Sequence, residues 1–214
     1  MAAITDEELL TPAWSKILNI RHPFERLYSG WRDKFDPNNL DCPRFVRSYK
    51  PKIMPFERNK SHPRFKIKTC DKLKSGSLVT FYAFLKYVLH EPFSQLNQHF
   101  LPIAHVCSPC HVDWDFISTQ PTVNDDIVTA FQSLGKKSAA DEKFIREIAA
   151  AKNQSKLSSF NSYPKKRTAK MAFYDICQQP GGKKLVQDLR KKYDWDFTLF
   201  GYDLEGYFHS DADS

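Results

Sequence analysis

Arg21, Arg26 and Ser29, within the run Arg21-His22-Pro23-Phe24-Glu25-Arg26-Leu27-Tyr28-Ser29, are the residues whose types and spacing point most clearly to chemistry. Guanidinium groups and a hydroxyl gathered so closely can hold an anion, and phosphate matches the planar fork of an arginine well. The flanking pattern supplies the elements that would position them. Ile17, Leu18 and Ile20 form a short apolar run of the buried-strand kind, and Arg21 stands where that strand should end. Pro23 suits the first position of a helix, where its missing N–H costs nothing. Phe24, Leu27, Tyr28, Trp31 and Phe35 then share one helical face, while Arg26, Ser29 and Asp33 fall off it, with Arg26 and Ser29 neighbours at i, i+3. The result is a strand, a cationic corner, a helix N-terminus and a hydroxyl one and a half turns in, which is the make-up of an anion site. An ordinary amphipathic helix with a solvated basic rim gives the same pattern, so residue types alone leave both readings open.

The chain of 214 residues is long enough for one domain with a sizeable core, here taken as 1–214. Hydrophobic residues make up 41% and aromatic residues 14%, which excludes a disordered chain. A formal net charge of +7 favours polyanionic partners, whether nucleic acid, acidic lipid or acidic polysaccharide, without choosing among them. No apolar run is long enough to span a membrane. The acidic start Met1 to Glu8 lacks a signal-peptide pattern, so taken at face value the chain would remain cytoplasmic.

From Asp36 to Lys74 the pattern dissolves into basic chain broken by Pro37, Pro43, Pro51, Pro55 and Pro63, and an irregular segment without a core element is expected. Order returns at Thr80, a suitable N-cap for a helix with Phe81, Phe84, Leu85, Val88 and Leu89 on one face, ended by Pro92. Val112 to Phe116 alternates like a strand, and Asn124 to Leu134 reads as a helix. The segment 136–170 is basic and irregular, with a helix over 141–151 inside it, and Pro164 to Thr168 reads as a flexible surface run. Ala172–Cys177 and Lys183–Tyr193 read as closing helices.

His99, His105, Cys107, Cys110 and His111 include a C-x-x-C flanked by histidines, but no second ligand pair follows at structural-zinc spacing, so no metal is expected. The strand-like stretch after Cys110 also argues against a redox motif, which needs a helix there. Cys42, Cys70, Cys107, Cys110 and Cys177 suffice for two disulfides and a leftover thiol, in a pairing the sequence does not reveal. Asn59 and Asn153 begin glycosylation sequons, which matter only if the chain enters the secretory pathway.

The run Arg21 to Ser29, continuing into Trp31-Arg32-Asp33-Lys34-Phe35, resembles the 3′-phosphate-binding motif of the Golgi carbohydrate sulfotransferases, in the branch of the chondroitin 4-sulfotransferases and the HNK-1 sulfotransferase. The resemblance implies an α/β, P-loop-like sulfotransferase domain with a small parallel sheet flanked by helices. It implies 3′-phosphoadenosine 5′-phosphosulfate as sulfo donor, held at its 3′-phosphate by Arg21 and Ser29, and a chondroitin-like glycan as acceptor; the i, i+3 spacing from Ser29 adds Arg26 to the candidate donor site. It implies residence in the Golgi lumen.

Three further patches support the resemblance. The Thr80 helix leads into His99-Phe100, similar to a family His-Trp pair, and Cys107-Ser108-Pro109-Cys110 with Asp115-Phe116-Ile117 resembles a family C-x-P-C before a strand. By that likeness Cys107 and Cys110 would be disulfide-bonded. Asp196 to Tyr202 resembles the C-terminal signature. The chain departs from the family at Ser118-Thr119-Gln120-Pro121, where members carry a glutamate, and in having no phosphosulfate loop before Arg21. By that standard the domain is N-terminally truncated and its sulfo transfer impaired. The catalytic base is not legible; His99 is a candidate, with a purely structural histidine as the competing reading. Two alternative functions remain, a non-catalytic remnant or incomplete gene product of such an enzyme, and a basic polyanion- or nucleic-acid-binding module. The second would need a nucleic-acid motif or stacking platform, and the sequence has neither.

Overall fold

The computed structural model describes residues 15–35, 42–58, 79–133, 143, 146–147, 168–205 and 207–208. In chain order the elements are β1 (Ile17–Ile20), α1 (Pro23–Phe35), α2 (Cys42–Ile53), α3 (Phe81–His90), α4 (Ile103–Cys107), β2 (Phe116–Thr119), α5 (Val123–Ser133), α6 (Ala169–Cys177), α7 (Gly182–Lys192) and α8 (Asp194–Leu199). Single 3₁₀ turns follow α2 at Met54–Phe56, α3 at Phe93–Gln95 and β2 at Gln120–Thr122. The elements fall into two compact units, Met1–Arg21 with Ile103–Lys165, and His22–Pro102 with Lys166–Ser214.

The first unit carries the sheet. β1 and β2 pair in parallel, from Ile17 opposite Phe116 to Ile20 opposite Thr119. Asp115 takes the Lys16 N–H on its carboxylate at 2.8 Å and gives its own N–H to the Lys16 carbonyl at 3.0 Å, and the paired register starts at the next residue. The strand expected over Val112–Phe116 therefore lies at Phe116–Thr119 instead. Ser118 is fully buried within it, its hydroxyl accepting from Asn19 Nδ2 at 2.8 Å, a polar residue that alternation alone would not place inside. α5 packs against β2, and its entrance is fixed by Asp126, whose Oδ2 accepts from the Thr119 N–H and the Thr122 hydroxyl. An α/β arrangement with a small parallel sheet and flanking helices, as expected, is what forms.

The second unit is helical around an aromatic core. α1 buries Phe24, Leu27, Tyr28 and Phe35 along its stripe. The Phe24 ring stacks on Phe173 of α6 at 4.2 Å between centroids, and Phe81 of α3 meets the same Phe173 edge-on at 5.1 Å. Fully burying one such ring stabilises by about 1.5–3 kcal/mol, so this face fixes α1 more firmly than any surface ion pair would. Thr80 caps α3 by accepting from the Ala83 N–H at 3.1 Å, and is held in turn by the Glu57 carboxylate. Thr168 caps α6 in the same way through the Met171 N–H, so the end of the supposed surface run begins a helix. α7 starts at Gly182, where a Cβ would lie 1.7 Å from the Ile176 carbonyl oxygen; only glycine permits that approach.

The expectation of irregular chain over 36–74 is corrected at α2. This helix sits in the middle of that segment, and Phe45, Val46 and Ile53, with Met54 after it, enter the core. Its prolines did not break it because Pro43 falls in the first turn and Pro51 in the last, where a missing N–H or a short distortion is tolerated. The stretch 59–78 lies outside the described residues, as do Asn59 and Asn153; of the helix expected over 141–151, Lys143, Arg146 and Glu147 are described and are helical.

Candidate functional site

α1 is anchored at its N-terminus by His22. Its Nδ1 accepts the Phe24 N–H at 3.1 Å, which makes the imidazole the cap of the helix. A nitrogen that accepts from a backbone N–H carries no proton, so Nε2 is the protonated one and donates to the Asp203 carbonyl at 2.8 Å. The Tyr207 hydroxyl donates to the same Nδ1 at 3.1 Å, and its ring stacks on the imidazole at 4.7 Å. Phe197 and Tyr202 close the cage with edge contacts at 5.3 and 5.1 Å. Burial in this cage pulls the His22 pKa below its ordinary value, against the Asp203 carbonyl bond, which pulls it up. The same surroundings push Tyr202 up to about 12, chiefly by burial and then through Glu25 and Asp196.

Arg21 follows β1 directly, and Ser29 is the seventh residue of α1, half-buried and off the apolar stripe. Arg26 has another task. Its Nη1 donates to the Leu101 carbonyl and its Nη2 to the Gln98 carbonyl at 2.9 Å. The turn it grips is held at every step: the buried Tyr193 hydroxyl donates to the Phe100 carbonyl, the Phe100 N–H reaches Asn97 O at 2.8 Å, and the His99 N–H reaches Asn97 Oδ1 at 3.0 Å. Gly30 lets this turn lie against α1, since a Cβ there would stand 3.1 Å from the Phe100 ring. The geometry thus makes Arg26 a clamp of the 97–101 turn, with terminal nitrogens on two carbonyl oxygens.

That turn forms one wall of a cavity of about 260 Å³. Lys34 at the end of α1, Arg44, Phe45 and Tyr49 of α2, and Asn97 and His99 of the turn line it. Phe45 and Tyr49 stack at 5.3 Å, and Asn97 Nδ2 donates to the Tyr49 oxygen at 3.1 Å, tying turn to helix. Lys34 is only 7% exposed; its Nζ lies 2.6 Å from Asp33 Oδ2 and 5.0 Å from the centre of the Phe45 ring. The imidazole of His99, exposed at the rim, stands 6.2 Å from the same ring.

In the first unit Cys107 ends α4, Ser108 turns in the left-handed region at φ 43°, and Cys110 follows in the turn. The two cysteines are not joined to one another there. No group of three or more histidine, cysteine or carboxylate side chains among the described residues is arranged to hold a metal ion. His22, Lys34 and Asn97 are residues of this geometry that the sequence reading did not single out. His22 had a local signal, its place before Pro23 at the head of a helix; the others had none, because they come together only in the fold.

The sequence pattern and this architecture agree with the comparison to known families, since the model of the sulfotransferase family matches residues 4–203. The chain belongs to the sulfotransferase family. It is 29% identical over 189 residues to carbohydrate sulfotransferase 14 of Danio rerio, covering 88% of this chain and 44% of that protein. Carbohydrate sulfotransferase 14 of Homo sapiens is 27% identical over 88% of this chain and 42% of its own length. Carbohydrate sulfotransferase 12 of Mus musculus is 28% identical over 88% of this chain and 40% of its own length. This sulfotransferase-family chain thus spans a little over two fifths of the first of these relatives. No solved structure matches it. No helix among the described residues is long and apolar enough to cross a membrane.

Proposed function

We propose that this chain is the donor- and acceptor-binding part of a carbohydrate sulfotransferase that moves a sulfo group from 3′-phosphoadenosine 5′-phosphosulfate to a hydroxyl of a chondroitin-like glycan in the Golgi lumen. The observation that carries this reading is the strand end at Arg21 followed by α1 with Ser29 off its buried face, in a chain of the sulfotransferase family. Arg21 gives the donor's 3′-phosphate a fork of charged donors, and Ser29 adds a hydroxyl. Arg26 is a positioning residue, holding the 97–101 turn through two carbonyls. In transfer the acceptor oxygen bonds to sulfur as the sulfur–phosphate oxygen bond breaks, and a base takes the hydroxyl proton. His99, presented at the rim of the cavity on a turn fixed from both sides, is the candidate for that base.

The relatives named carbohydrate sulfotransferase support a glycan as acceptor, and the basic charge of the chain suits an acidic one. The test is transfer of radiolabelled sulfate from labelled donor to desulfated chondroitin by the protein that contains this chain. Label in the glycan, abolished by His99→Ala in folded protein, is the expected result. A protein that binds donor yet labels no glycan would contradict the reading.

A further inference from the structure

The cavity beside His99 has a composition that the donor site does not explain. We infer that it is an anion subsite for one acidic sugar residue, its carboxylate or sulfate ester taken by Arg44 and Lys34 and its ring laid against the half-exposed Tyr49. The inference rests on the sulfotransferase reading only in making that sugar part of the glycan acceptor.

Charge is the first reason. Among the described residues that line the cavity, Lys34 and Arg44 are cationic and none is a carboxylate. A buried ammonium needs compensation, and Lys34 has Asp33 on one side and the Phe45 ring on the other. A ligand anion entering the cavity would add to that compensation in surroundings where a charge-assisted bond is strong. Arg44 is exposed at the mouth, one residue from Phe45, and its fork can take a planar carboxylate or two oxygens of a sulfate ester.

The remaining wall suits a sugar better than a bare ion. Tyr49, half-exposed and backed by the buried Phe45 ring, offers an apolar surface for ring C–H groups. The Tyr49 oxygen accepts from Asn97, which leaves its proton to donate to a ligand oxygen. Ser48 and Gln98 add further hydroxyl and amide groups. A volume of about 260 Å³ lies below the roughly 300–1,000 Å³ of sites for drug-sized ligands, so the space takes one monosaccharide unit rather than a nucleotide. The wall is also preformed, because Arg26 and Tyr193 fix the turn that carries Asn97 and His99. A preformed site loses little affinity to ordering on binding. His99 then stands at the rim, where a neighbouring hydroxyl of the same glycan would lie.

Calorimetric titration of the chain tests this, with methyl β-glucuronide, a methyl galactoside sulfate ester and neutral methyl β-glucoside as probes, and 3′-phosphoadenosine 5′-phosphate as the donor-site control. At least one charged glycoside should bind tenfold or more tightly than the neutral one, and the stronger of the two identifies the anion as carboxylate or sulfate. Arg44→Gln should remove most of that preference and Arg44→Glu all of it, while Lys184→Glu, a charge reversal at an exposed position of α7, should leave it intact. The nucleotide should bind all variants equally. Equal binding of charged and neutral glycosides by the parent, or a preference that survives both Arg44 variants, would overturn the subsite. So would a loss of nucleotide affinity in Arg44→Glu as large as the loss for the sugar, since that would put a donor phosphate in the cavity. Parent protein that binds the charged glycoside but not the nucleotide would refute the donor reading and leave the subsite standing.

Discussion

Replacing Arg26 by alanine separates two roles that the sequence alone could not tell apart. Its guanidinium donates to the Leu101 and Gln98 carbonyls, one contact partly buried and the other exposed. A hydrogen bond from a charged donor is worth about 1.5–3 kcal/mol, and the exposed one less, so both together come to about 2–4 kcal/mol. In a chain of this size each kcal/mol moves the melting temperature by roughly 2–4 °C, which predicts a fall of about 4–16 °C. Arg26→Lys should recover about half of it, because one ammonium cannot bridge two carbonyls in a fixed fork. Thermal unfolding by circular dichroism gives the first readout. Calorimetry with 3′-phosphoadenosine 5′-phosphate, well below the melting temperature, gives the second, and affinity should change by less than about threefold, an effect under 1 kcal/mol. An unchanged melting temperature with a tenfold loss of nucleotide affinity would refute the clamp and return Arg26 to the phosphate site.

Two other predictions follow from close packing and from the cap of α1. Gly182→Ala forces a Cβ to within 1.7 Å of the Ile176 carbonyl oxygen, a backbone atom that cannot rotate away, so the variant should lose about 3 kcal/mol or more of stability in denaturant titration; a midpoint like that of the parent would show that α7 shifts freely. His22 takes its proton less readily in the folded chain than in the unfolded one, so stability is full above the ordinary histidine value of 6.5 and falls as pH drops below it, the unfolded state then binding more protons. Folding free energy measured from pH 8 to 5 should decline more steeply for the parent than for His22→Phe, and parallel curves would mean that protonated His22 is accommodated.

The strand–corner–helix was legible because its signals are local: an apolar run, a proline at the right position and a stripe at helical spacing. α3 was legible for the same reasons, with Thr80 as its cap. α2 was not, because five prolines outweighed Phe45, Val46, Tyr49 and Ile53, a stripe that stands out only once Pro43 and Pro51 are seen at the helix ends. The cavity was beyond local reading altogether. Lys34 and Asn97 look like solvated polar residues in sequence, Arg44 belongs to a basic run that suits an anionic polymer or plain solvent equally, and only packing of α1, α2 and the 97–101 turn sets them around one space. Arg26 was drawn to the candidate site by its spacing from Ser29, and the fold adds its two bonds to backbone carbonyls. His99 was drawn out by resemblance, and packing adds what it faces.

The assignment of the donor's 3′-phosphate to Arg21 and Ser29 is tested most directly by calorimetric titration of the chain with 3′-phosphoadenosine 5′-phosphate beside adenosine 5′-phosphate, which lacks the 3′-phosphate. The doubly phosphorylated nucleotide should bind at least tenfold more tightly. Arg21→Ala should cut its affinity roughly ten- to a hundredfold, a charge-assisted contact of about 1.5–3 kcal/mol, and Ser29→Ala by up to about tenfold, with neither altering the weaker ligand much. Equal affinity of parent and Arg21→Ala for the 3′-phosphorylated nucleotide, with both folded, would contradict the account.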